Sequence, residues 1–259
     1  MIVLLPPSET KRVGGDGPPL RIAELGSPEL GNMRATLVDE LIALAADRPA
    51  CRRALGISAS QDAEIDRNAA LLSAPTLPAI DRYTGVLYDA LDLPGLQRRG
   101  VTTDDVLIFS GLWGVLRPGD RIPHYRCSAG VKLPVVGSVS AAWRKALRAP
   151  LTAYADDRLV VDLRSGAYAG LWPPGSNAVT VRVLHERCSG GVVSRSVVSH
   201  FNKATKGRLA RALLESGQQP GKPDELADLV RALGYPVETG PGSTRPDAPV
   251  PLDIVVREL

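Results

Sequence analysis

Short blocks of continuous apolar residues, each closed by proline, glycine or serine, alternate along this chain with longer stretches in which apolar side chains recur every three or four positions. The first block, Ile2 to Leu5, reads as a buried strand, ended by Pro6 and Pro7 because proline has no N–H to give to a ladder. After Ser8-Glu9-Thr10-Lys11 a Gly/Pro-rich stretch runs to Pro19 and is predicted to be a mobile loop. From Pro28 to Asp47 the residues Leu30, Met33, Leu37, Leu41 and Leu44 fall on one helical stripe. A second helix is expected to begin near Ser58, where Gln61 completes a capping box. A third is expected over about Pro78 to Leu91, burying Ile80, Leu87 and Leu91.

Val106 to Phe109, closed by Ser110-Gly111, has the look of a strand buried on both faces. Leu159 to Leu163 repeats that design and is followed by Arg164-Ser165-Gly166. Val179 to Leu184 and Val192 to Ser199 are β-branched runs around a turn holding Cys188-Ser189-Gly190-Gly191, the pattern of a hairpin. Asn202 is expected to cap a helix reaching about Ser216, with another over Asp224 to Leu233. Residues 236–251 are turn-like, and Leu252 to Arg257 reads as a terminal strand. The order of elements predicts one α/β domain over residues 1–259, a mixed β-sheet flanked by helices. A small helical subdomain at about 203–235 is compatible with the same pattern.

Composition narrows the class. The chain is 44% hydrophobic and 23% charged, which is globular, and only 4% aromatic, so aliphatic side chains must make the core. A net charge of +3 from 31 basic and 28 acidic residues is too balanced for whole-surface nucleic-acid binding, so any basic footprint is local. The opening apolar run is too short for a signal peptide, and no stretch approaches the ~20 apolar residues of a membrane span. Three cysteines, Cys51, Cys127 and Cys188, are odd in number and far apart, which points to reduced thiols and a cytoplasmic location, with no membrane partner.

Candidate chemistry gathers where three apolar strands end: at Pro7 to Lys11, at Ser110 to Gly114, and at Asp162 to Gly166. If the strands are parallel, these segments share the edge at which open α/β sheets hold ligands. The stretch from Ser110 to Arg126 offers Gly111 and Gly114 for close backbone approach and Arg117, Arg121 and Arg126 as planar donors for phosphate or carboxylate. Tyr83-Thr84-Gly85 breaks the propensity of its helix by about 1 kcal/mol. In the helix after Asn202, Lys203, Lys206 and Arg211 share one face and could track phosphates. On residue types alone, each feature also fits an ordinary turn, close helix packing or a solvated basic face. No Walker or dinucleotide fingerprint and no Ser/His/Asp arrangement is present. His124-x-x-Cys127 and His185-x-x-Cys188 lack the usual close Cys-Cys or His-His ligand pair, so neither a metal nor a cofactor is expected.

Taken together, Pro7-Ser8-Glu9-Thr10-Lys11, Tyr83-Thr84-Gly85, Ser110-Gly111-Leu112-Trp113-Gly114-Val115-Leu116-Arg117-Pro118 with Asp120, Tyr125-Arg126 and the segment from Ser199 to Gly207 resemble the YaaA family (DUF328, UPF0246) over residues 4 to 210. The resemblance implies a YaaA-like mixed α/β fold, a positively charged cleft, DNA binding without strong sequence preference, and a role in limiting peroxide stress and iron-mediated DNA damage. On that reading Ser8, Lys11, Thr84, Ser110, Gly111, Arg117, Arg126, Lys203 and Lys206 would hold phosphate, of DNA or of a small molecule, which needs no catalyst. The alternative is an enzyme on a nucleotide, nucleobase or other anionic small molecule, since Lys11, Tyr83, Ser110, Asp120 and Tyr125 are richer in acid/base and nucleophile types than phosphate holding requires.

Overall fold

The computed structural model describes residues 1–189, 192–196, 199–239 and 248–257. Its first strand, β1 (Ile2–Leu5), is buried along its whole length, as a continuous apolar run demands. The chain leaves the sheet there and makes the short β2 (Gly17–Pro19) before a helical layer. That layer holds α1 (Gly31–Leu44), α2 (Arg48–Leu55) and α3 (Ala63–Ala69). Asp47 starts α2 by accepting the Ala50 N–H, and Gly56 ends it in the left-handed region. Near Ser58 the predicted capping contact is present: the Ser58 N–H donates to Gln61 Oε1 at 3.1 Å.

After β3 (Pro75–Pro78) come α4 (Ala79–Arg82), α5 (Val86–Leu91) and α6 (Leu93–Arg98). The single helix predicted over 78–91 is therefore two, broken at Tyr83-Thr84-Gly85. Gly85 has φ +96°, which a residue with a Cβ adopts only with strain, so the propensity exception marks a real break. The buried β4 (Val106–Ser110) folds back into β5 (Gly114–Leu116), and β6 (Arg121–Ile122) pairs with β3, which also pairs with β2. The pair β7 (Lys132–Leu133) and β8 (Gly137–Ser138) leads into the long α7 (Val139–Ala155). Leu147 and Leu151 of α7 are buried, each contributing roughly 1.5–3 kcal/mol by removal of apolar area from water. The chain ends with β9 (Val160–Asp162), α8 (Gly166–Ala169), the hairpin β10 (Ala178–Ser189) and β11 (Val192–Ser196), α9 (Ser199–Glu215), α10 (Pro223–Ala232), β12 (Val237–Thr239) and β13 (Val250–Arg257).

Eight strands form one mixed sheet in the order β12-β13-β10-β9-β1-β4-β5, with β11 beside the far half of β10. Its five inner strands, β13, β10, β9, β1 and β4, are mutually parallel, and β5, β11 and β12 are antiparallel additions. The expected α/β architecture with a mixed sheet is thus present. From β1 the chain goes on to β4 on one side, and from β9 it goes on to β10 on the other. The boundary between β1 and β9 is therefore a topological switch point, the place beyond whose strand ends open α/β sheets hold ligands.

Helix α9 packs on α5 at Gly207, where an added Cβ would collide with Leu87 O and come within 2.9 Å of Ala90 Cβ. Leu209, Leu213, Leu226 and Val230 join the same core as the central strands, so the segment at about 203–235 packs against the sheet. The stretch expected to be a mobile loop, 12–19, is tied down instead. Arg82 donates to Arg12 O and Gly14 O, Arg121 pairs with Asp16, and Thr76 Oγ1 donates to Pro18 O at 2.7 Å. Glycine and proline gave this segment few side chains of its own, but the arginines of neighbouring segments supply its contacts.

Candidate functional site

The segments after β1, β4 and β9 meet at the carboxyl edge of the sheet. Lys11, 9% exposed, forms an isolated antiparallel bridge with Tyr83, which explains why the chain breaks its helix there. Its ammonium donates to Ser8 O at 2.8 Å and more weakly to Glu9 O at 3.5 Å, and stands 4.5 Å from the centre of the Tyr125 ring and 5.7 Å from that of Tyr83. Burial holds the Lys11 amine down to about 8, partly offset by the charge of Glu9. The two carboxylates that could neutralise it are committed elsewhere. Glu9 Oε2 pairs with Arg126 Nη1 at 2.7 Å, while Glu64 holds Arg67 and, at 3.2 Å, His124 Nε2.

Beneath Lys11 runs a chain of buried hydroxyls: Tyr83 to Tyr125 at 2.6 Å and Tyr125 to Ser110 at 2.7 Å. Ser110 Oγ also accepts the Leu112 and Trp113 N–H groups at 3.1 and 3.0 Å. A serine hydroxyl has two lone pairs and one proton. With both lone pairs occupied, the Ser110 proton goes to Tyr125, the Tyr125 proton goes to Tyr83, and these bonds leave the Tyr83 proton uncommitted. Burial pushes both phenols above their usual range, so both keep their protons.

A second lysine reaches the same edge from α9. The Lys206 ammonium donates to Leu163 O at 3.2 Å and Arg164 O at 3.4 Å, just past the end of β9, and burial brings its amine down to about 8 against the opposing pull of Asp162. Asp162 is itself engaged: its carboxylate accepts from the Arg164 guanidinium at 2.8 and 2.7 Å and from the Arg164 backbone N–H at 3.0 Å. Arg164 lies 4.1 Å over the Phe109 ring. Among the described residues neither Lys11 nor Lys206 forms an ion pair, and both bond only to backbone carbonyls.

Of the residues singled out in the sequence, the structure brings Ser8, Lys11, Tyr83, Ser110, Tyr125, Arg126 and Lys206 to one edge, Ser8 through its carbonyl. Gly111 stands just behind it, where a Cβ would strike the backbone of residues 127–129. Others are elsewhere. Because β5 runs back along β4, with Leu116 beside Ile108, Arg117 lies toward the opposite edge, 5.9 Å from the ring of Tyr154. The Tyr154 hydroxyl donates to Asp105, just before β4. Asp120 holds a turn, accepting the N–H groups of Gly26 and Arg117 at 2.9 Å each. Thr84 lines a separate groove of about 150 Å³ with Arg12, Asp81, Asp89 and Asp92, in which carboxylates outnumber cations. Lys203 is exposed on α9, whose turn directs only Lys206 inward.

The sequence reading missed Glu64, Arg67 and Asn68. Asn68 clasps the backbone of Arg126 through both its amide atoms, at 2.8 and 2.9 Å, and so fixes the strap that carries Arg126 and Tyr125. Burial pushes the Glu64 carboxyl up, but His124, Arg67 and Lys11 bring it below the usual range. No motif signals these residues, because they sit on a helix of ordinary composition. His124 turns to Glu64 while burial pushes the Cys127 thiol up to about 12, and among the described residues no cluster of three or more metal-ligating side chains forms. The side chain of Cys188 lies outside the described residues. A roomier cavity of about 520 Å³ lies between α9, β12 and β13, but its lining is largely apolar and Thr205, Arg208 and Glu238 are its polar members. It lacks the paired amines of the strand edge.

The family model described as peroxide stress protein YaaA matches residues 1–240. A UPF0246 protein of Streptomyces coelicolor is 46% identical over 268 aligned positions that span the whole of both chains. A UPF0246 protein of Corynebacterium efficiens is 44% identical over 93% of this chain and 96% of its own. An uncharacterised protein of Campylobacter jejuni is 31% identical over 61% of each chain. With a single model covering most of the sequence and relatives aligned end to end, the chain belongs to the YaaA (UPF0246) family of peroxide stress proteins.

Proposed function

We propose that the crevice between β1 and β9 binds phosphate groups, those of DNA or of a phosphate-bearing small molecule, as part of protection from peroxide stress and iron-mediated DNA damage. One observation carries the reading: two ammonium groups, Lys11 and Lys206, reach the ends of adjacent parallel strands and are held there by carbonyls, with no ion pair to a carboxylate among the described residues. An anion entering the crevice would supply the missing charge. Arg126, on the same rim, adds a guanidinium suited to two phosphate oxygens. The exposed Lys203, one turn from Lys206, would extend the footprint for a polymer.

The test compares a labelled duplex with pyrophosphate. Duplex affinity is expected to fall steeply with salt, since each neutralised phosphate releases condensed counterions. Changing Lys203 to alanine should flatten that slope by about one phosphate and leave pyrophosphate binding intact, whereas Lys206→Ala should weaken both. Failure to bind either ligand at low salt overturns the proposal. A second reading, an enzyme on an anionic small molecule, is favoured by the Tyr83–Tyr125–Ser110 hydroxyl chain, which phosphate holding does not use. Binding of pyrophosphate without binding of duplex would select it.

A further inference from the structure

The Lys11 amine combines three features that simple charge provision does not explain. It packs against two aromatic rings, its nearest carboxylates are turned onto Arg126, Arg67 and His124, and it lies beside a hydroxyl chain ending in an uncommitted phenol proton. A lysine kept charged for structure pairs with an acid; a lysine kept ready to lose its proton is surrounded in this way. We infer that Lys11 is a nucleophile that condenses with the carbonyl group of an aldehyde or ketone carrying a phosphate, with Tyr83 donating a hydrogen bond to the carbonyl oxygen. The phosphate part of this inference rests on the proposed anion site, and the amine chemistry does not.

The step balances without any added reagent. The Nζ lone pair forms the C–N bond while the carbonyl π electrons move to oxygen, which takes the Tyr83 proton. The proton shed by nitrogen returns to the Tyr83 oxygen, giving a neutral carbinolamine. Cleavage of its C–O bond, with one more proton from nitrogen, releases water and leaves an imine. Tyr125 and Ser110 act as positioning residues: by spending their own protons along the chain toward Tyr83 they keep its oxygen an acceptor on one side and a donor on the other. Lys206 and Arg126 would hold the phosphate, so the carbonyl carbon would lie between the two lysines.

The experiment traps the imine by reduction. The full chain is incubated with cyanoborohydride and, separately, glycolaldehyde phosphate, glycolaldehyde, or a single-stranded oligonucleotide with one abasic site, then weighed intact and mapped. One adduct per chain is expected, with the mass of the aldehyde less one oxygen, at Lys11, at least tenfold faster than at Lys132, Lys145, Lys203 or Lys222. Its rate should rise with pH through a midpoint near 8, where the Lys11 amine titrates. Lys11→Arg should form none, and should that variant not fold, the map of the natural chain decides alone. An adduct spread over the exposed lysines, or none on Lys11, overturns the inference whatever pyrophosphate binding shows. Equal trapping of the aldehyde with and without phosphate keeps Lys11 and removes the anion site. Preference for the oligonucleotide over glycolaldehyde phosphate identifies the polymer as the source of the carbonyl, and the reverse identifies a free phosphorylated aldehyde.

Discussion

Two regions of this molecule bury cations against backbone carbonyls, with opposite outcomes. In the layer of loops around β2, β3 and β6, Arg34 donates to the carbonyls of Trp113, Val115, Gly26 and Ser27, and Arg82 to those of Ile122, Arg12, Gly14 and Pro75. Burial lowers both guanidinium groups to about 10, yet they stay charged at neutral pH. A planar fork with five donors can stitch several chain segments at once, and here nearly all its capacity is used. At the strand edge, Lys11 and Lys206 each have three donors and meet two carbonyls, one of them at or near the limit of a hydrogen bond. Saturated buried cations hold a fold together, and undersaturated ones leave bonding capacity for a ligand.

The contrast is sharpest in stability. Arg34→Met or Arg82→Met strands three or four carbonyls and should cost about 3–5 kcal/mol in denaturant unfolding. A loss under about 1 kcal/mol would dissolve the distinction between the regions. Lys11→Met should behave differently, because it removes a charge that is poorly repaid. The folded amine titrates near 8 and the unfolded one near about 10.4. Below pH 8 the folded state therefore carries the full penalty of a buried ammonium, and as pH rises from about 8 to about 10.4 the natural chain loses that penalty. The variant should be at least as stable as the natural chain at pH 7, by up to about 2 kcal/mol, and its advantage should shrink across that window. An advantage that grows with pH would reverse the sign of the argument. The smallest effect tests the direction of the hydroxyl chain. Tyr125→Phe, in the middle, breaks two hydroxyl bonds and should cost about 2–3 kcal/mol, and Tyr83→Phe, at the loose end, breaks one and should cost about half as much; equal losses would show that the Tyr83 proton is committed to a second bond.

Much of this was legible along the chain because it was local. The apolar runs at Ile2–Leu5 and Val106–Ser110 are buried strands as read, and β10 and β11 form the expected hairpin, although β11 pairs with residues 185–189 while the β-branched run 179–184 lies beside β13. The common edge followed from them, and with it the places of Lys11 and Ser110. What failed was whatever depended on distant partners. Arg117 shares a stretch with Ser110 but is carried to the far edge by the reversal at Gly114, a residue with φ +72°. The clamping roles of Arg34 and Arg82 left no sequence signal, since the carbonyls they hold lie up to 81 residues away.

Gly207 gives the site a mechanical stop. Lys206 can touch the end of β9 only because the next residue has no side chain to prop α9 away from α5. A single methyl group there would act as a wedge against Leu87 and Ala90 of α5, lifting α9 and drawing the Lys206 ammonium back with it. The reach of a charged group is thus set by a hydrogen atom on its neighbour, and small residues at this helix crossing act as the gauge of how closely α9 approaches the end of β9.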